Sequence, residues 1–209
     1  MSASGQYAIT CGFISGAGNT YFSVDYGQTW TFSITAGNGV YIFHTAMSAS
    51  GQYCIFGNYA GLIYYSSDYA KTWTTSNSPS LSWRTAAMSA SGQYAVASPT
   101  ANNAYYSVDY GQTWTSTGKY GYGLSISSTG KYVLTARGSA STGVWFSSDY
   151  GVNWTDFTSR ISGAIGASSS TYRYTALSGS GQIQLVAKSD ITGFVGWARK
   201  SPENGHFLE

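Results

Sequence analysis

Short apolar segments alternate with clusters of Gly, Ser and Asn along the whole chain. The apolar segments are about four to seven residues long and rich in β-branched and aromatic residues, which is the length and composition expected of strands. The Gly, Ser and Asn clusters between them are typical of turns and loops. Because a helix is hard to place anywhere in this pattern, the sequence predicts an all-β fold.

A five-residue signature precedes several of these apolar segments. It consists of a hydrophobic residue, Ser, a small residue, Ser or Thr, and Gly. In four of the five copies the Gly is followed by Gln or Lys, then Tyr, then an apolar segment, whereas the last copy has Ile183 in place of the Tyr. The copies recur about every 40 residues, and a period of that size indicates stacked units of several strands each. The five copies end at Gly5, Gly51, Gly92, Gly130 and Gly181.

An octapeptide forms a second repeated signature that keeps step with the first. Two copies are identical, SVDYGQTW at 23–30 and at 107–114, and two are close variants, SSDYAKTW at 66–73 and SSDYGVNW at 147–154. A faint fifth copy, SPENGHFL at 201–208, lacks the Trp. An Asp, a Gly and a Trp at fixed offsets indicate either a catalytic Asp or a repeated structural turn.

Each unit of the repeat reads as four short strands. In the second unit the strands are expected at His44 to Ser50, Tyr53 to Phe56, Leu62 to Ser67 and from Thr72 onwards. Five such units over residues 1–209 predict a single domain, a five-bladed β-propeller of four-stranded antiparallel blades. The chain is expected to begin inside the first strand of blade 1 and to end at the fifth octapeptide, so that the last blade lacks its fourth strand. An open edge of this kind can pair with another chain, and the prediction is therefore a monomer or an edge-paired oligomer.

The octapeptide resembles the Asp-box, also called the bacterial neuraminidase repeat, of sialidases, sortilin and other β-propellers. The pattern SxDxGxTW is complete in the first and third copies, while Ala70 replaces the Gly in the second and Asn153 replaces the Thr in the fourth. The resemblance implies that the octapeptide forms the turn between the third and fourth strands of a blade, on the face away from the functional site. It also favours an extracellular or cell-surface location, although the sequence itself leaves the compartment open.

The chemistry of the octapeptide favours a structural role for its Asp. An Asp carboxylate accepts hydrogen bonds from N–H groups of its own turn, and Gly permits a positive φ. Trp supplies a large apolar surface that fastens the turn to the blade. Because one repeated turn accounts for all four Asp residues, we interpret them as structural rather than catalytic or metal-binding. The residues assigned to these turns are Ser23, Asp25, Gly27 and Trp30; Ser66, Asp68 and Trp73; Ser107, Asp109, Gly111 and Trp114; and Ser147, Asp149, Gly151 and Trp154.

The functional groups are expected on the opposite face, whose loops vary between units, because loops on a rigid scaffold commonly carry binding residues. The position eight residues before the signature Gly is occupied in successive units by Phe43, Arg84, Tyr122 and Arg173. At the mouth of a central channel, such aromatic and Arg side chains suit stacking on sugars and hydrogen bonds to hydroxyl groups. The alternative is that they simply fill a narrow channel. With the aromatic neighbours of the two Arg residues included, the predicted ligand-binding residues are Trp83, Arg84, Tyr122, Tyr172 and Arg173.

Composition and charge narrow the classes of partner. Only 9% of the residues are charged, 17% are aromatic, and the net charge is +2 with no basic run. Nucleic-acid binding depends on clustered Lys and Arg, so no nucleic-acid partner is predicted. No apolar run approaches the roughly 18 residues needed to cross a bilayer, so no membrane span is predicted.

Side chains suited to catalysis or metal binding are scarce. Both Glu residues, Glu203 and Glu209, lie near the C-terminus, and outside the octapeptides only Asp156 and Asp190 remain. Glycosidases generally use a pair of carboxyl groups, and the catalytic set of the sialidases is not found here. The two His and two Cys residues have no metal-ligand spacing, so neither a metal nor a cofactor is predicted.

The combined features predict a non-enzymatic binding module that recognises a glycan through the loop face. Two alternatives stay open. One is a protein–protein interaction scaffold, which the resemblance to sortilin allows. The other is a degenerate sialidase-like glycoside hydrolase.

Overall fold

A computed structural model describes the chain over residues 1–14, 17–38, 41–137, 143–158, 171–190 and 193–200. Side chains are described over the same ranges except at 13–14, 35–38, 137, 171–173 and 188–200. Over these ranges, the chain contains no helix that is long enough and apolar enough to cross a membrane.

The described residues form five antiparallel sheets, each built from strands that follow one another along the chain. The first sheet has three strands: β1 (Ala8–Ile14), β2 (Ala17–Ser23) and β3 (Thr31–Asn38). The second has four: β4 (Ile42–Met47), β5 (Cys54–Asn58), β6 (Ile63–Ser66) and β7 (Thr74–Thr75). The third has four: β8 (Trp83–Met88), β9 (Ala95–Pro99), β10 (Asn103–Ser107) and β11 (Thr115–Tyr120).

The last two sheets complete the set. The fourth sheet contains β12 (Gly123–Ile126), β13 (Val133–Arg137), β14 (Gly143–Ser147) and β15 (Thr155–Asp156). The fifth contains β16 (Thr171–Leu177), β17 (Ile183–Asp190) and β18 (Gly193–Lys200). The all-β prediction is therefore confirmed, and three of the five sheets have the four antiparallel strands expected of a propeller blade.

The two end sheets differ from the expected four-stranded unit. The prediction that the chain begins inside a first strand is wrong, because residues 1–7 form a turn that leads directly into β1. The fifth sheet, as far as it is described, has three strands, and the residues after Lys200, where the fourth strand was expected to be missing, lie outside the described part of the chain. In the second sheet the first strand begins at Ile42 rather than His44 and ends at Met47, because the signature residues that follow it form the turn.

Neighbouring sheets pack face to face along the chain. The strands β1, β4, β8, β12 and β16 contact one another in that order. Apolar side chains fill the space between sheets; between the second and third sheets these include Ile55, Ile63 and Trp83, and between the fourth and fifth they include Leu134 and Val186. Both faces of β5 are covered, so all five of its residues are buried, including the polar Asn58.

The first signature forms the turn that precedes strands β1, β5, β9, β13 and β17, and backbone hydrogen bonds link each of these turns to the equivalent turn of the next sheet. Within the turn, a Ser hydroxyl accepts the N–H of the residue that enters the second strand, as Ser48 does from Tyr53 at 3.1 Å. Between sheets, the third residue of each of the first four signatures donates its N–H to the carbonyl of the equivalent residue in the following sheet. These bonds run from Ala3 to Ala49, Ala49 to Ala90, Ala90 to Ser128 and Ser128 to Gly179, at 2.8 to 2.9 Å.

The octapeptide forms the same hydrogen-bonded turn four times. In the third copy, Asp109 Oδ1 accepts the Ser107 hydroxyl at 2.8 Å and the Thr113 N–H at 2.9 Å, and Oδ2 accepts the Thr113 hydroxyl at 2.6 Å. The Ser107 hydroxyl oxygen in turn accepts the Gly111 N–H at 3.0 Å. The fourth copy keeps this arrangement because Asn153 Nδ2 donates to the Asp carboxylate at 2.6 Å in place of the Thr hydroxyl.

Four tyrosines in these turns adopt a positive φ that the sequence did not predict. Tyr26, Tyr69, Tyr110 and Tyr150 have φ values of 61 to 66°, each directly before the Gly or Ala that also has a positive φ. A non-glycine residue in this region is strained, by about 1–2 kcal/mol. A backbone hydrogen bond offsets part of the strain. The N–H of each of these tyrosines donates to the carbonyl of the residue after a signature Gly, as Tyr110 does to Gln93 at 3.0 Å.

The octapeptide tryptophans differ in burial. Trp114 is 6% exposed and donates its indole N–H to the Gly111 carbonyl at 2.9 Å, and Trp154 makes the same bond to Gly151 at 2.8 Å. Trp73 donates instead to the Ser33 hydroxyl of the first sheet at 2.7 Å. Trp30, in the first sheet, is 45% exposed.

We expect the free energy of unfolding to fall as the pH drops from about 4 towards 2. Desolvation by burial acts to raise the pKa of Asp68, Asp109 and Asp149. Hydrogen bonds from the turn outweigh this effect and hold the pKa of each carboxyl below its usual value. In Asp25, hydrogen bonds led by the Thr29 hydroxyl lower the pKa to about 2. A carboxyl whose pKa is lower in the folded state stabilises the fold above its unfolded pKa, and this stabilisation is lost on protonation. Urea unfolding at several pH values measures the effect, and a flat profile between pH 4 and 2 would contradict it.

Candidate functional site

A cavity of about 420 Å³ lies where the first strands of four sheets converge. The strands β4, β8, β12 and β16 supply its walls, with Tyr122 immediately before β12. The lining comes from equivalent positions, six to eight residues before the signature Gly, so the repeat itself brings these residues together. The lining residues are Phe43, His44, Arg84, Thr85, Ala86, Tyr122, Gly123, Leu124, Tyr174 and Thr175.

Arg84 is held in the wall of this cavity between two aromatic rings. Its guanidinium carbon lies 5.4 Å from the centre of the Phe43 ring and 5.2 Å from the centre of the Tyr122 ring. These rings belong to the sheets on either side of the Arg, so the contact links three sheets. Cation–π contacts at these distances restrain the guanidinium without using its N–H donors on a carboxylate. Among the described side chains, no carboxylate forms an ion pair with Arg84.

His44 and two threonines add polar groups to the wall. His44 is exposed to the cavity. The surrounding protein desolvates its imidazole and lowers the pKa, although a backbone hydrogen bond at Thr45 acts to raise it, so the ring is mainly neutral at pH 7. The Thr85 hydroxyl donates to the Tyr122 carbonyl at 3.1 Å and fixes the segment that carries Tyr122. The hydroxyl of Thr175 is buried without a hydrogen-bond partner among the described residues.

An exposed aromatic cluster borders the cavity. Tyr41, Phe43 and Tyr59 are 42%, 45% and 38% exposed. The rings of Tyr41 and Phe43 are nearly parallel with centres 5.8 Å apart, and Tyr59 meets Phe43 edge to face at 5.4 Å. The loops that carry Tyr41 and Tyr59 are joined by a hydrogen bond from the Tyr59 N–H to the Tyr41 carbonyl at 2.8 Å. Because Phe43 belongs to both features, the aromatic cluster and the cavity form one continuous surface.

The structure separates the five residues predicted to bind a ligand. Arg84 and Tyr122 line the cavity. Trp83 is only 2% exposed; it packs against Tyr105 and Trp114, and its indole N–H donates to the Gly61 carbonyl at 3.0 Å. Adjacent residues of a strand point to opposite faces, so the neighbour of Arg84 lies in the core between sheets. We therefore leave Trp83 out of the proposed site.

The remaining two predicted residues, Tyr172 and Arg173, have backbones in β16, but their side chains lie outside the described part of the chain. The pairing of β16 with β17 shifts between Tyr172 and Tyr174. The pairing of β8 with β9 has the same shift, between Trp83 and Thr85, so the irregularity belongs to the repeat. Tyr174, at the next position along the strand, is 53% exposed and lines the cavity, although it was not predicted.

Three further aromatic residues of the site were not among the predicted binding residues. Phe43 shares the repeat position of Arg84 and Tyr122, which is a signal present in the sequence. Tyr41 and Tyr59 lie in loops on either side of strands β4 and β5. No regular spacing relates these two, so only the folded arrangement reveals that they meet.

The described carboxylates lie elsewhere. None lines the cavity, four belong to the octapeptide turns, and Asp156 is on the outer strand β15. Within the described ranges, no three His, Cys, Asp or Glu side chains are grouped closely enough to hold a metal ion.

No protein-family model matches the chain, and no curated protein matches it in sequence. Its fold is similar to solved β-propeller structures. A GH74 xyloglucanase from Xanthomonas campestris gives a TM-score of 0.69 at 11% identity, over 97% of this chain and 36% of that protein. The GH74 enzyme of Niastella koreensis gives 0.63 at 16% identity, over 99% and 30%. YCF48 bound to a D1 peptide gives 0.58 at 11% identity, over 98% and 71%.

This chain therefore spans about a third of the length of the two GH74 proteins. At such low identities the similarity shows a propeller-like fold and nothing more specific.

Proposed function

We propose that this protein is a non-catalytic β-propeller module that binds a glycan at the cavity and its aromatic border. The observation that carries the proposal is Arg84, whose guanidinium is restrained between Phe43 and Tyr122 in the wall of an open cavity of about 420 Å³. A restrained side chain loses little conformational entropy when it binds a ligand, so its hydrogen bonds contribute more fully to affinity. Its donors suit the hydroxyl, ring or carboxylate oxygens of a sugar.

The aromatic cluster supports the choice of a glycan. Sugar rings have apolar faces that stack on aromatic side chains, and Tyr hydroxyls at the rim can bond the sugar hydroxyls. Tyr41, Phe43 and Tyr59 present exposed aromatic surface beside the cavity. The polar groups at the cavity wall, His44, Thr85 and Thr175, suit a ligand with many hydroxyls.

The absence of a carboxylate pair around the cavity supports a non-catalytic role. Glycoside hydrolysis generally uses two carboxyl groups about 5–10 Å apart across the scissile bond. The described cavity wall has none. If the protein were a degenerate hydrolase, slow turnover of a chromogenic glycoside would reveal it.

The main rival is a peptide-binding scaffold. The names of the structural neighbours include a xyloglucanase and a protein bound to a peptide, so they support either ligand class for a fold of this type. A glycan array followed by calorimetry on the best hit distinguishes them. We expect a glycan hit with wild-type protein and a loss of affinity of at least about tenfold in both Arg84→Ala and Phe43→Ala.

Lys71→Ala is the matched control for this experiment. Lys71 also lies over an aromatic ring, 6.0 Å from the centre of Tyr69, but it belongs to an octapeptide turn, away from the cavity. We expect this variant to bind like the wild type. Unchanged binding in Arg84→Ala would show that the site is wrong. A protein complex with no glycan hit on the array would favour the scaffold.

A further inference from the structure

The contact between neighbouring sheets is built in the same way along the chain. In the first three sheets, the Tyr that follows the signature packs against the octapeptide Tyr of the next sheet. The ring centres are 4.4 Å apart for Tyr7 and Tyr69, 4.3 Å for Tyr53 and Tyr110, and 4.2 Å for Tyr94 and Tyr150. Each sheet therefore has a leading face, which contacts the following sheet, and a trailing face, which contacts the preceding one.

Strand residues are divided between these two faces by alternation. In the second strand of a sheet, the residues two and four positions after the signature Gly point to the leading side. Ile55 is an example, because its side chain contacts Gly111 of the next sheet: a Cβ added at Gly111 would lie only 2.6 Å from Ile55 Cγ2. In the internal sheets this position is buried: Ile55 is 0% exposed, Val96 1% and Leu134 1%.

The leading face of the fifth sheet exposes apolar side chains among the described residues. Leu185, which is equivalent to Ile55, is 39% exposed, and Ile183, which replaces the stacking Tyr, is 56% exposed. The alternate residues Gln184 and Val186, which face the fourth sheet, are 1% and 0% exposed. Over residues 183–186, the exposure is therefore on one side of β17. Among the described residues, the N–H of Gly179 also has no acceptor, although its four equivalents each donate to a following sheet.

In the first sheet, the residues of the trailing face, which contact a preceding sheet elsewhere in the chain, are exposed. Tyr26 is 66% exposed, whereas the equivalent tyrosines stack on the preceding sheet. Trp30 is 45% exposed, against 6% for Trp114. Within the described ranges, the carbonyl of Ala3 accepts no hydrogen bond of the kind that joins the other sheets. Within one molecule, β1 packs on β4, and no comparable packing joins the described strands of the first and fifth sheets.

We propose that a second copy of this chain covers these faces, with the leading face of the fifth sheet of one copy docked on the trailing face of the first sheet of the other. The two faces hold the complementary halves of a junction whose backbone hydrogen bond this chain already makes four times and whose tyrosine pair it makes three times among the described residues. Ile183 and Leu185 would cover Tyr26 and the first octapeptide turn, and the Gly179 N–H would donate to the Ala3 carbonyl. The contact is head-to-tail, so it extends from copy to copy unless the ring closes.

Analytical ultracentrifugation over a range of protein concentrations tests this association. For the wild type we expect a mass above the monomer that increases with concentration. We expect Leu185→Arg and Tyr26→Arg each to weaken association at least about tenfold, because each places a charge in an apolar contact. Val152→Arg is the control: Val152 is 49% exposed in the fourth octapeptide turn, away from both end faces. It should associate like the wild type.

An equimolar mixture of Leu185→Arg and Tyr26→Arg gives the sharpest result. Each variant retains one intact face, and the two intact faces are complementary. The mixture should therefore form a species of twice the monomer mass and nothing larger, at protein concentrations where each variant alone stays monomeric. Circular dichroism and thermal unfolding check that both variants are folded, and Ile183→Arg replaces Leu185→Arg if that variant is unfolded.

Two outcomes would overturn the proposal. A wild-type protein that remains monomeric at every concentration would show that no second copy covers the faces. Association of Leu185→Arg alone at wild-type strength would show a contact through other surfaces. The measurement uses no ligand and we expect Arg84→Ala to associate normally, so a failure of the glycan proposal does not affect this one.

Discussion

Gly92→Ala should destabilise the protein by about 3 kcal/mol or more, because two separate costs act at this position. Gly92 has a φ of 82°, a conformation that strains an alanine. A Cβ added there would lie 2.7 Å from the Cβ of Tyr53 and 2.8 Å from its Cδ2. Tyr53 cannot move away easily, because its ring is stacked on Tyr110 of the same third sheet as Gly92. Denaturant unfolding measures the change in free energy.

Gly27→Ala is the matched control for this prediction. Gly27 has nearly the same φ, 81°, but the nearest heavy atom to an added Cβ is 3.9 Å away, in Trp30. Only the conformational strain remains, and we expect a loss of about 1 kcal/mol. The natural Ala70, with a φ of 64° at the equivalent position of the second octapeptide, shows that the turn accepts a methyl group. Equal losses in the two variants would contradict the role assigned to the contact between sheets.

Asp109→Ala should cost about 2–4 kcal/mol, since the carboxylate accepts three hydrogen bonds within its turn. The substitution leaves the Thr113 N–H and two hydroxyls without their acceptor. It also loosens the turn that places Trp114, which is 6% exposed in the core between the second and third sheets. The free energy of unfolding at pH 7 gives the loss. At about pH 2 the difference from the wild type should shrink, because acid protonates the carboxylate.

Asp156→Ala controls for the loss of a negative charge. Asp156 is exposed and accepts a single local hydrogen bond, from the Thr158 N–H at 2.7 Å. We expect a loss of no more than about 1 kcal/mol. If Asp156→Ala and Asp109→Ala destabilise the protein equally, the octapeptide Asp has no special structural role.

The octapeptide turn could be predicted from the sequence because its interactions are local. Asp109, Ser107 and Thr113 lie within eight residues, so the side chains that bond one another are already close along the chain. The same holds for the signature turn, where Ser48 bonds a residue five positions away. The tyrosines at positive φ were not predicted, because the bond that offsets their strain comes from a different turn.

The candidate site could be predicted only in part. The repeat placed Phe43, Arg84 and Tyr122 at one position, and the structure brings these three into contact. The same pattern gave Trp83 a binding role, although the strand turns its side chain into the core. Tyr174 holds the repeat position of Thr85, which also lines the cavity, so the repeat carried a signal for Tyr174 that the prediction did not use.

The sequence by itself determined the all-β fold, the repeated turns and the common position that lines the cavity, because each depends on short-range hydrogen bonds or on the period of the repeat. Only the tertiary structure decided which residues are covered. Tyr26 and Tyr110 occupy the same place in identical octapeptides, yet Tyr26 is 66% exposed while Tyr110 stacks on the preceding sheet. Burial is a property of the neighbouring sheet, so the two uncovered end faces could not be recognised before the sheets were assembled.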